Sequence, residues 1–305
     1  MILSDLTHAE LSRRLRQGNL LLELTPFVVR FQTDVPGLVS DIALLYADFP
    51  VVEPDRFSDF HVAVVLEPGL RRWVKPVARF TFDGRTLFVP LPAYQAIAML
   101  EWGLNWCVAA HSHQYLIFHA AVIERDGKAA LLPAPPGSGK STLCAGLVLQ
   151  GWRLLSDELA LYDMRSGLVY GMARPVNLKN ASIDVIRGLA GGAVMTQAVP
   201  NTTKGTVALL RPPPASVARV SEPARPTWVI LPRYQANAAP LLEPYSRART
   251  FMLMAEQSFN YDIHGRSGFE AVGRLIDQCG CYRFSYHDLG DARQTFDRLW
   301  REHAA

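Results

Sequence analysis

The chain has 305 residues, of which 49% are hydrophobic and 19% are charged, and its formal net charge is +3. This length fits two domains or one elaborated α/β unit, and the composition excludes an intrinsically disordered chain because enough apolar surface is present to form a core. The near balance of 31 basic and 28 acidic residues argues against a protein that coats nucleic acid. We therefore expect a folded protein without a nucleic-acid partner.

Cysteine spacing and hydrophobic runs predict a soluble, cytoplasmic protein. One close cysteine pair occurs, Cys279 and Cys281, but one intervening residue and the lack of a second pair are unlike a zinc site. Residues 1–17 carry an early acid and no long apolar stretch, so they are unlike a signal peptide. No run approaches the roughly 20 apolar residues that cross a bilayer. We expect free thiols in a reducing compartment and no membrane partner.

Residues 1–115 are predicted to form an α+β domain that recognises a substrate or partner. Strands are expected at Phe27–Thr33 and His61–Leu66, which are rich in β-branched and apolar residues. Asp83-Gly84 is a turn signal between two further strands, Ala78–Phe82 and Thr86–Val89. A helix is expected over Ala93–Ala110, where apolar residues recur at three- and four-residue spacing.

Residues 116–305 are predicted to form a second domain of the α/β class. The Gly-, Ala- and Pro-rich residues 187–226 are expected to be a long, partly mobile excursion. The other expected elements are a hairpin of Phe118–Glu124 and Lys128–Pro133, a helix at Ser141–Gln150, strands at Trp152–Leu155, Trp228–Leu231 and Tyr282–Tyr286, and helices at Ser267–Gln278 and Asp291–Arg301.

A phosphate-binding loop is predicted between the hairpin and the helix that follows it, from Ala134 to Thr142. Its glycines let backbone N–H groups converge on phosphate oxygens, and the helix begins directly behind them. Lys140 is placed to reach the β- and γ-phosphates and Ser141 to bind Mg²⁺, although Ala134 stands where the strict pattern has Gly. We predict that ATP and Mg²⁺ bind here, through Pro136, Gly137, Ser138, Gly139, Lys140, Ser141 and Thr142.

Asp157 is predicted to reach this loop from the strand that follows the loop helix. A strand–helix–strand crossover brings the end of that second strand to the phosphate site, which is where open α/β sheets bind ligands. An acid there can bind Mg²⁺ through water or accept a proton from an attacking hydroxyl.

His119 is predicted to lie beside the start of the loop. If Asp126-Gly127 is a two-residue turn, Arg125 pairs with Lys128, and counting back along the antiparallel strands puts His119 opposite Ala134. From there it could orient Asp157 or bind a phosphate oxygen. A purely structural histidine fits the spacing equally well.

The residues around these positions resemble a known family. The stretch from Phe118-His119, through Gly137-Ser-Gly-Lys-Ser141, to Ser156-Asp157-Glu158 is similar to the catalytic core of HPr serine kinase/phosphorylase, and most closely to its branch of HPr-kinase-related kinases. The resemblance is close over residues 116–163 and weaker beyond them. It implies a PEP-carboxykinase-like P-loop fold with a mixed sheet, and an assembly of several copies.

The resemblance also implies roles for individual residues. The roles that it implies are a general base at Asp157, a partner of that base at His119, a phosphate ligand at Lys140, a Mg²⁺ ligand at Ser141 and, at Glu158, the second acid of the family's acidic pair. The family's downstream glutamate is missing, because residues 170–180 contain no acid, so we expect Glu158 to help hold the metal. Arg247 is the candidate for the family's catalytic arginine, and Lys204-Gly205-Thr206 is a segment that could close over substrate.

Together these features predict a kinase that transfers the γ-phosphate of ATP to a hydroxyl. The resemblance implies that the acceptor is a serine of a peptide or small protein. Two alternatives fit the same residues. One is a P-loop kinase of small molecules. The other is a nucleotide-binding regulator without turnover, which the missing downstream acid suggests.

Overall fold

The computed structural model describes residues 1–69, 71–135 and 137–303 and has a mixed α/β architecture. The α-helices of these residues are α1 (His8–Gln17), α2 (Pro36–Leu45), α3 (Arg71–Val74), α4 (Ala96–His111), α5 (Lys140–Leu149), α6 (Ala181–Leu189), α7 (Pro214–Ala218), α8 (Arg247–Glu256), α9 (Tyr261–Gln278) and α10 (Leu289–Glu302). Within the same residues, no helix is both long enough and apolar enough to cross a bilayer.

The strands of the described residues are β1 (Leu20–Leu24), β2 (Phe27–Thr33), β3 (Val51–Val52), β4 (Phe60–Leu66), β5 (Val77–Phe82), β6 (Arg85–Thr86), β7 (Leu91–Pro92), β8 (Leu116–Arg125), β9 (Lys128–Pro133), β10 (Arg153–Ser156), β11 (Leu159–Tyr162), β12 (Val169–Tyr170), β13 (Val176–Lys179), β14 (Val199–Thr202), β15 (Gly205–Leu210), β16 (Arg225–Tyr234), β17 (Leu241–Pro244) and β18 (Gly280–Tyr286). They form three sheets.

The first sheet belongs to the N-terminal part of the chain and has the strand order β3-β1-β2-β4-β5-β6, with β7 paired to β5. Its strand β2 coincides with the predicted Phe27–Thr33, and its buried residues alternate with more exposed ones, as expected of a strand with one face in the core. Strands β2 and β4 are parallel and joined through α2, whereas the other pairs are antiparallel.

The second sheet positions the predicted site. Its order is β12-β11-β8-β9-β16-β18-β17, with β10 also paired to β8. Strands β9, β16 and β18 are parallel, so their C-terminal ends meet at one edge. Strand β10 is antiparallel to β8, as β9 is, and therefore also ends at that edge.

The β8–β9 hairpin has the predicted register. Arg125 pairs with Lys128, and the pairing continues to Ala120 opposite Pro133, one position before His119 and Ala134. Asp126 and Gly127 have φ values of 50° and 78°, both positive, as in a two-residue type I′ turn. Asp-Gly is favoured there because both residues tolerate a positive φ.

The prediction of a long, partly mobile excursion over residues 187–226 is wrong for the part of this segment that forms strands β14 and β15. These two strands make a hairpin that pairs with β13 in the third sheet, in the order β13-β15-β14. The run Val207–Leu210 is fully buried, and this burial offsets the loop-forming tendency of the surrounding Gly and Pro residues. The predicted strand Thr86–Val89 shrinks to β6, and Val89 is 80% exposed.

The two predicted parts of the chain share one hydrophobic core. Leu159 and Leu209 of the C-terminal part pack in the same cluster as Phe31 and Leu100 of the N-terminal part. A buried polar contact crosses the same junction, where Arg174 donates to the Glu101 carboxylate at 2.6 Å. The boundary between residues 1–115 and 116–305 stays a prediction.

Candidate functional site

The predicted phosphate loop connects β9 to α5, and α5 begins at Lys140. Gly137 and Gly139 have φ values of 87° and 90°, in the region that favours glycine. Pro136, which was predicted to bind the nucleotide, lies outside the described residues. The strand–loop–helix context predicted for this segment is therefore present, with left-handed glycines where the chain curls.

Residues at the ends of two strands of the second sheet form hydrogen bonds to the backbone of the loop. The backbone N–H of Tyr234, at the end of β16, donates to the Ser138 carbonyl at 2.9 Å. The Tyr286 hydroxyl, at the end of β18, donates to the Gly139 carbonyl at 2.9 Å. A Cβ on Gly139 would lie 2.6 Å from that hydroxyl and 2.9 Å from the Tyr234 Cβ, so close approach adds to the requirement for glycine.

Lys140 connects the loop to the end of β10. Its side chain is buried, and its Nζ donates to the main-chain oxygen of Asp157 at 2.5 Å. The crossover β9–α5–β10 thus brings Asp157 to the loop, as the sequence predicts. The strand β10 arrives on the far side of β8 rather than beside β9.

The Asp157 carboxyl group is buried and incompletely paired. Its Oδ2 accepts the Asn177 backbone N–H at 3.1 Å, whereas its Oδ1 has no hydrogen-bond partner among the described residues. Burial raises the pKa of Asp157, and the charge of Glu158 adds to this, while Lys140, the Asn177 amide and the Ser141 hydroxyl oppose the rise. Since an unpaired buried oxygen is costly, this position is a good candidate for a ligand contact.

Asn177 is a residue that the sequence-based predictions missed. It lies in β13, is 4% exposed, and its Oδ1 is another buried oxygen without a partner among the described residues. The available signal was a polar amide between the apolar residues Val176 and Leu178, which are both buried in β13. Residues 170–180 contain no acid, but Asn177 supplies a neutral oxygen near Asp157.

His119 pairs with Glu158. Its Nε2 lies 3.2 Å from the Glu158 Oε2, because β8 and β11 pair with His119 opposite Leu159. Burial acts to raise the pKa of Glu158, but the charge of Lys140 and the contact with His119 outweigh it and hold this pKa well below its usual value. The resemblance implied that His119 is the partner of Asp157, and the structure differs on this point.

A cavity of about 650 Å³ lies over the loop. His119 and Glu158 line it together with Ser141 and Thr142, and further polar side chains come from Asn177, Lys179 and Lys204. Lys204 belongs to the turn between β14 and β15, and its Nζ lies 4.9 Å from the centre of a ring of Trp102. Asp157 lines a smaller adjoining cavity of about 20 Å³, which Asn177 also borders.

Arg247 is not brought to this site. It begins α8, just after Pro244 of β17, which pairs with Tyr282 of β18. Tyr282 lies four residues before Tyr286, whose hydroxyl contacts the loop, and this separation corresponds to about 13 Å along a strand. The charge of Arg247 instead acts on the pKa of the buried Cys279, which burial raises. The chain after β17 leaves the sheet at the end away from the loop.

Comparisons with known proteins give a partial match. Residues 93–171 match the model of a family described as SynChlorMet cassette protein ScmC. This range contains the loop, His119, Asp157 and Glu158, but it is less than half of the 305 residues. No curated protein matches the chain.

Among solved structures, the HPr(Ser) kinase/phosphatase of Coxiella burnetii is similar to this chain. The identity is 12%, the match covers 61% of this chain and 98% of that chain, and the TM-score is 0.26. A TM-score of this size does not establish a shared fold. The architecture that is established is a mixed α/β one, with the site at the end of a mixed sheet.

Proposed function

We propose that this protein is an ATP-dependent phosphotransferase that moves the γ-phosphate to a hydroxyl group, with a serine of a peptide or small protein as the acceptor. One observation carries the proposal: the contact of Lys140 with Asp157 brings the phosphate loop to the two acids that follow β10. Phosphate-binding and proton-accepting groups then border one cavity, as phosphoryl transfer requires.

The loop would hold the phosphates of the nucleotide. Its backbone N–H groups and the N-terminus of α5 supply positive potential, and the left-handed Gly137 and Gly139 allow the necessary curl. Lys140 would exchange its contact with a backbone carbonyl for one with a phosphate oxygen. Charge–charge contacts of this kind are stronger than the contact that they replace.

The donor atoms present fit Mg²⁺. Asp157 Oδ1 and Asn177 Oδ1 are buried oxygens without partners among the described residues, and the Ser141 hydroxyl is close enough to Asp157 to act on its pKa. Mg²⁺ prefers oxygen ligands and retains several waters, so a few protein oxygens suffice. When bound, the ion supplies positive charge that neutralises the donor phosphates. In this proposal Asn177 replaces the acid that residues 170–180 lack.

The His119–Glu158 pair would take the proton from the acceptor. Both residues line the cavity over the loop, and Glu158 also lines the smaller adjoining one, whereas Asp157 lines only the smaller one. The low pKa of Glu158 keeps its carboxylate ionised at neutral pH, so it can hold His119 in place and stabilise the imidazolium that forms when His119 receives the proton. The acceptor oxygen then bonds to the γ-phosphorus, the bond from that phosphorus to the β–γ bridging oxygen breaks, and ADP leaves. Asp157, predicted from sequence as the base, is proposed here as a metal ligand.

Two matched variants separate these roles. Asp157→Asn is expected to lower the affinity for ATP in the presence of Mg²⁺ by about ten-fold or more, while binding without the metal changes little. Glu158→Gln is expected to keep the affinity for ATP with Mg²⁺ and to slow phosphate transfer by roughly 10²–10⁴-fold, the usual contribution of a positioned acid or base. Isothermal calorimetry with and without Mg²⁺ gives the affinities. The assignment fails if Asp157→Asn binds ATP with Mg²⁺ normally and Glu158→Gln transfers phosphate at the wild-type rate.

A regulator that binds ATP without turnover is the second candidate, and the absence of an acid in residues 170–180 favours it. It predicts the same binding affinities but no consumption of the γ-phosphate by the wild-type protein. The third possibility is a kinase of small molecules. Testing peptides and small hydroxyl compounds in parallel as phosphate acceptors separates it from the proposed peptide or protein kinase.

A further inference from the structure

A second cavity, of about 630 Å³, also borders the phosphate loop. It shares three loop residues with the first cavity, Gly137, Gly139 and Thr142, and also Lys179, Asn180 and Ser182, so the two cavities adjoin. We propose that this second cavity binds the base of the nucleotide, so that the first cavity is left for the phosphate acceptor. The inference rests on the proposed function, and it adds a binding site for a flat, largely apolar heterocycle.

The loop residues give the phosphate chain a direction. Lys140, Ser141 and Glu158 line the first cavity and not the second, so the metal and the transferred phosphate belong on that side. Thr142 lines both cavities. A triphosphate whose γ-phosphate lies near Ser141 can therefore run past Thr142 and deliver its nucleoside to the second cavity.

The walls of the second cavity suit an apolar ring. Val185 and Leu189 of α6 line it and are 48% and 38% exposed, and Tyr234 lines it and is 50% exposed. When a ring binds between apolar side chains that are exposed in a cleft, burial of their surface lowers the free energy of the complex. Any nucleotide base can also stack on an aromatic side chain, because every base has a flat π-face.

Tyr234 is fixed relative to the loop. Its backbone N–H is bonded to Ser138, and its ring lies 6.0 Å from the ring of His287 at an angle of 37°. A ring held this way requires little further ordering when a base stacks on it. The first cavity is more highly charged, because Lys140, Glu158 and Lys204 line it and not the second cavity, whereas Lys179 lines both and Asp288 lines the second.

Binding of ATP and of inorganic tripolyphosphate to the full chain tests the inference, because tripolyphosphate keeps the phosphates and lacks the base. The wild-type protein is expected to bind ATP at least ten-fold more tightly than tripolyphosphate. Tyr234→Ala is expected to lose about ten-fold in affinity for ATP and nothing for tripolyphosphate, and Tyr234→Phe is expected to bind both normally. Since the bond from Tyr234 to the loop uses the backbone, the alanine variant retains it.

Two further variants complete the experiment. Val185→Asp places a charge on the part of the second cavity that α6 lines and is expected to weaken the binding of ATP but not that of tripolyphosphate. Phe269→Ala removes an aromatic ring that is 58% exposed on α9 and lines neither cavity, so it is the matched control and is expected to bind both ligands normally. Equal affinity of the wild-type protein for ATP and tripolyphosphate, or an unchanged ATP affinity in both Tyr234→Ala and Val185→Asp, would overturn the inference. Failure of the wild-type protein to bind tripolyphosphate and ATP would overturn the proposed function itself.

Discussion

Asp157 combines burial, an unpaired oxygen and a raised pKa, which together mean that its ionised form destabilises the folded protein. The pKa in the folded state lies above that in the unfolded state. Its contribution to stability is therefore greatest below the unfolded pKa and is lost as the pH rises through the folded pKa. A binding site can carry such a cost when a ligand removes it.

Because the raised pKa of Asp157 lowers stability at neutral pH, the ligand-free Asp157→Asn variant is expected to be more stable than the wild-type protein. Asparagine has the same shape, can still accept the Asn177 N–H, and cannot ionise. We expect the variant to melt about 2 °C or more above the wild-type protein at pH 7–8, because a shift of this size needs only about 1 kcal/mol. The difference should shrink as the pH falls towards 4. Thermal unfolding across this pH range measures it, and a variant that is less stable than the wild type at pH 8 would contradict the account.

The position of His119 could be predicted from the sequence, but its hydrogen-bond partner could not. The Asp126-Gly127 turn fixes the register of β8 and β9, so the position of His119 beside the loop could be predicted from turn chemistry alone. Its partner could not, because the choice between Asp157 and Glu158 depends on how β11 pairs with β8. Two adjacent acids after a strand point in different directions, and the sequence does not specify which one faces the histidine.

At the scale of elements, the loop is held by the ends of β16 and β18. Gly139→Ala is expected to lower the affinity for tripolyphosphate at least ten-fold and to destabilise the fold by about 1–3 kcal/mol, because φ is 90° and the new Cβ would meet Tyr286 and Tyr234. Gly84→Ala is the matched control, since Gly84 has a φ of 76° but no atom within 4 Å of an added Cβ.

Calorimetry and denaturant unfolding compare the two glycine variants. Gly84→Ala isolates the cost of a positive φ, and it should leave ligand binding unchanged. Equal behaviour of the two variants in both measurements would show that the contacts from β16 and β18 do not shape the loop.

The hairpin of β14 and β15 marks the limit of element prediction. Gly, Ala and Pro are frequent in residues 187–226, and the Gly and Pro residues favour a loop. The short run Val207–Leu210 nevertheless pairs with β13, which carries Asn177, and so the third sheet borders the site. A strand of this length is stabilised by tertiary burial rather than by its local pattern.

At the scale of the whole molecule, the N-terminal part is joined closely to the site. Glu101 of α4 is buried against Arg174 and accepts the Tyr46 hydroxyl, and both Glu101 and Arg174 border the small cavity next to Asp157. Helix α4 was predicted from periodicity, but this contact depends on how distant parts of the chain pack. The position of Arg247 was unpredictable for a similar reason, because spacing does not show at which end of a sheet a loop emerges.

The destination of the γ-phosphate tests the central claim most directly. The full-length wild-type protein would be incubated with Mg²⁺, ATP labelled in the γ-phosphate and serine-containing peptides, and the label then separated into nucleotide, free phosphate, peptide and small-molecule fractions. The account predicts label on a peptide serine with the wild-type protein and roughly 10²–10⁴-fold less with Glu158→Gln. Label that stays in ATP with the wild-type protein, despite tight ATP binding, would contradict it.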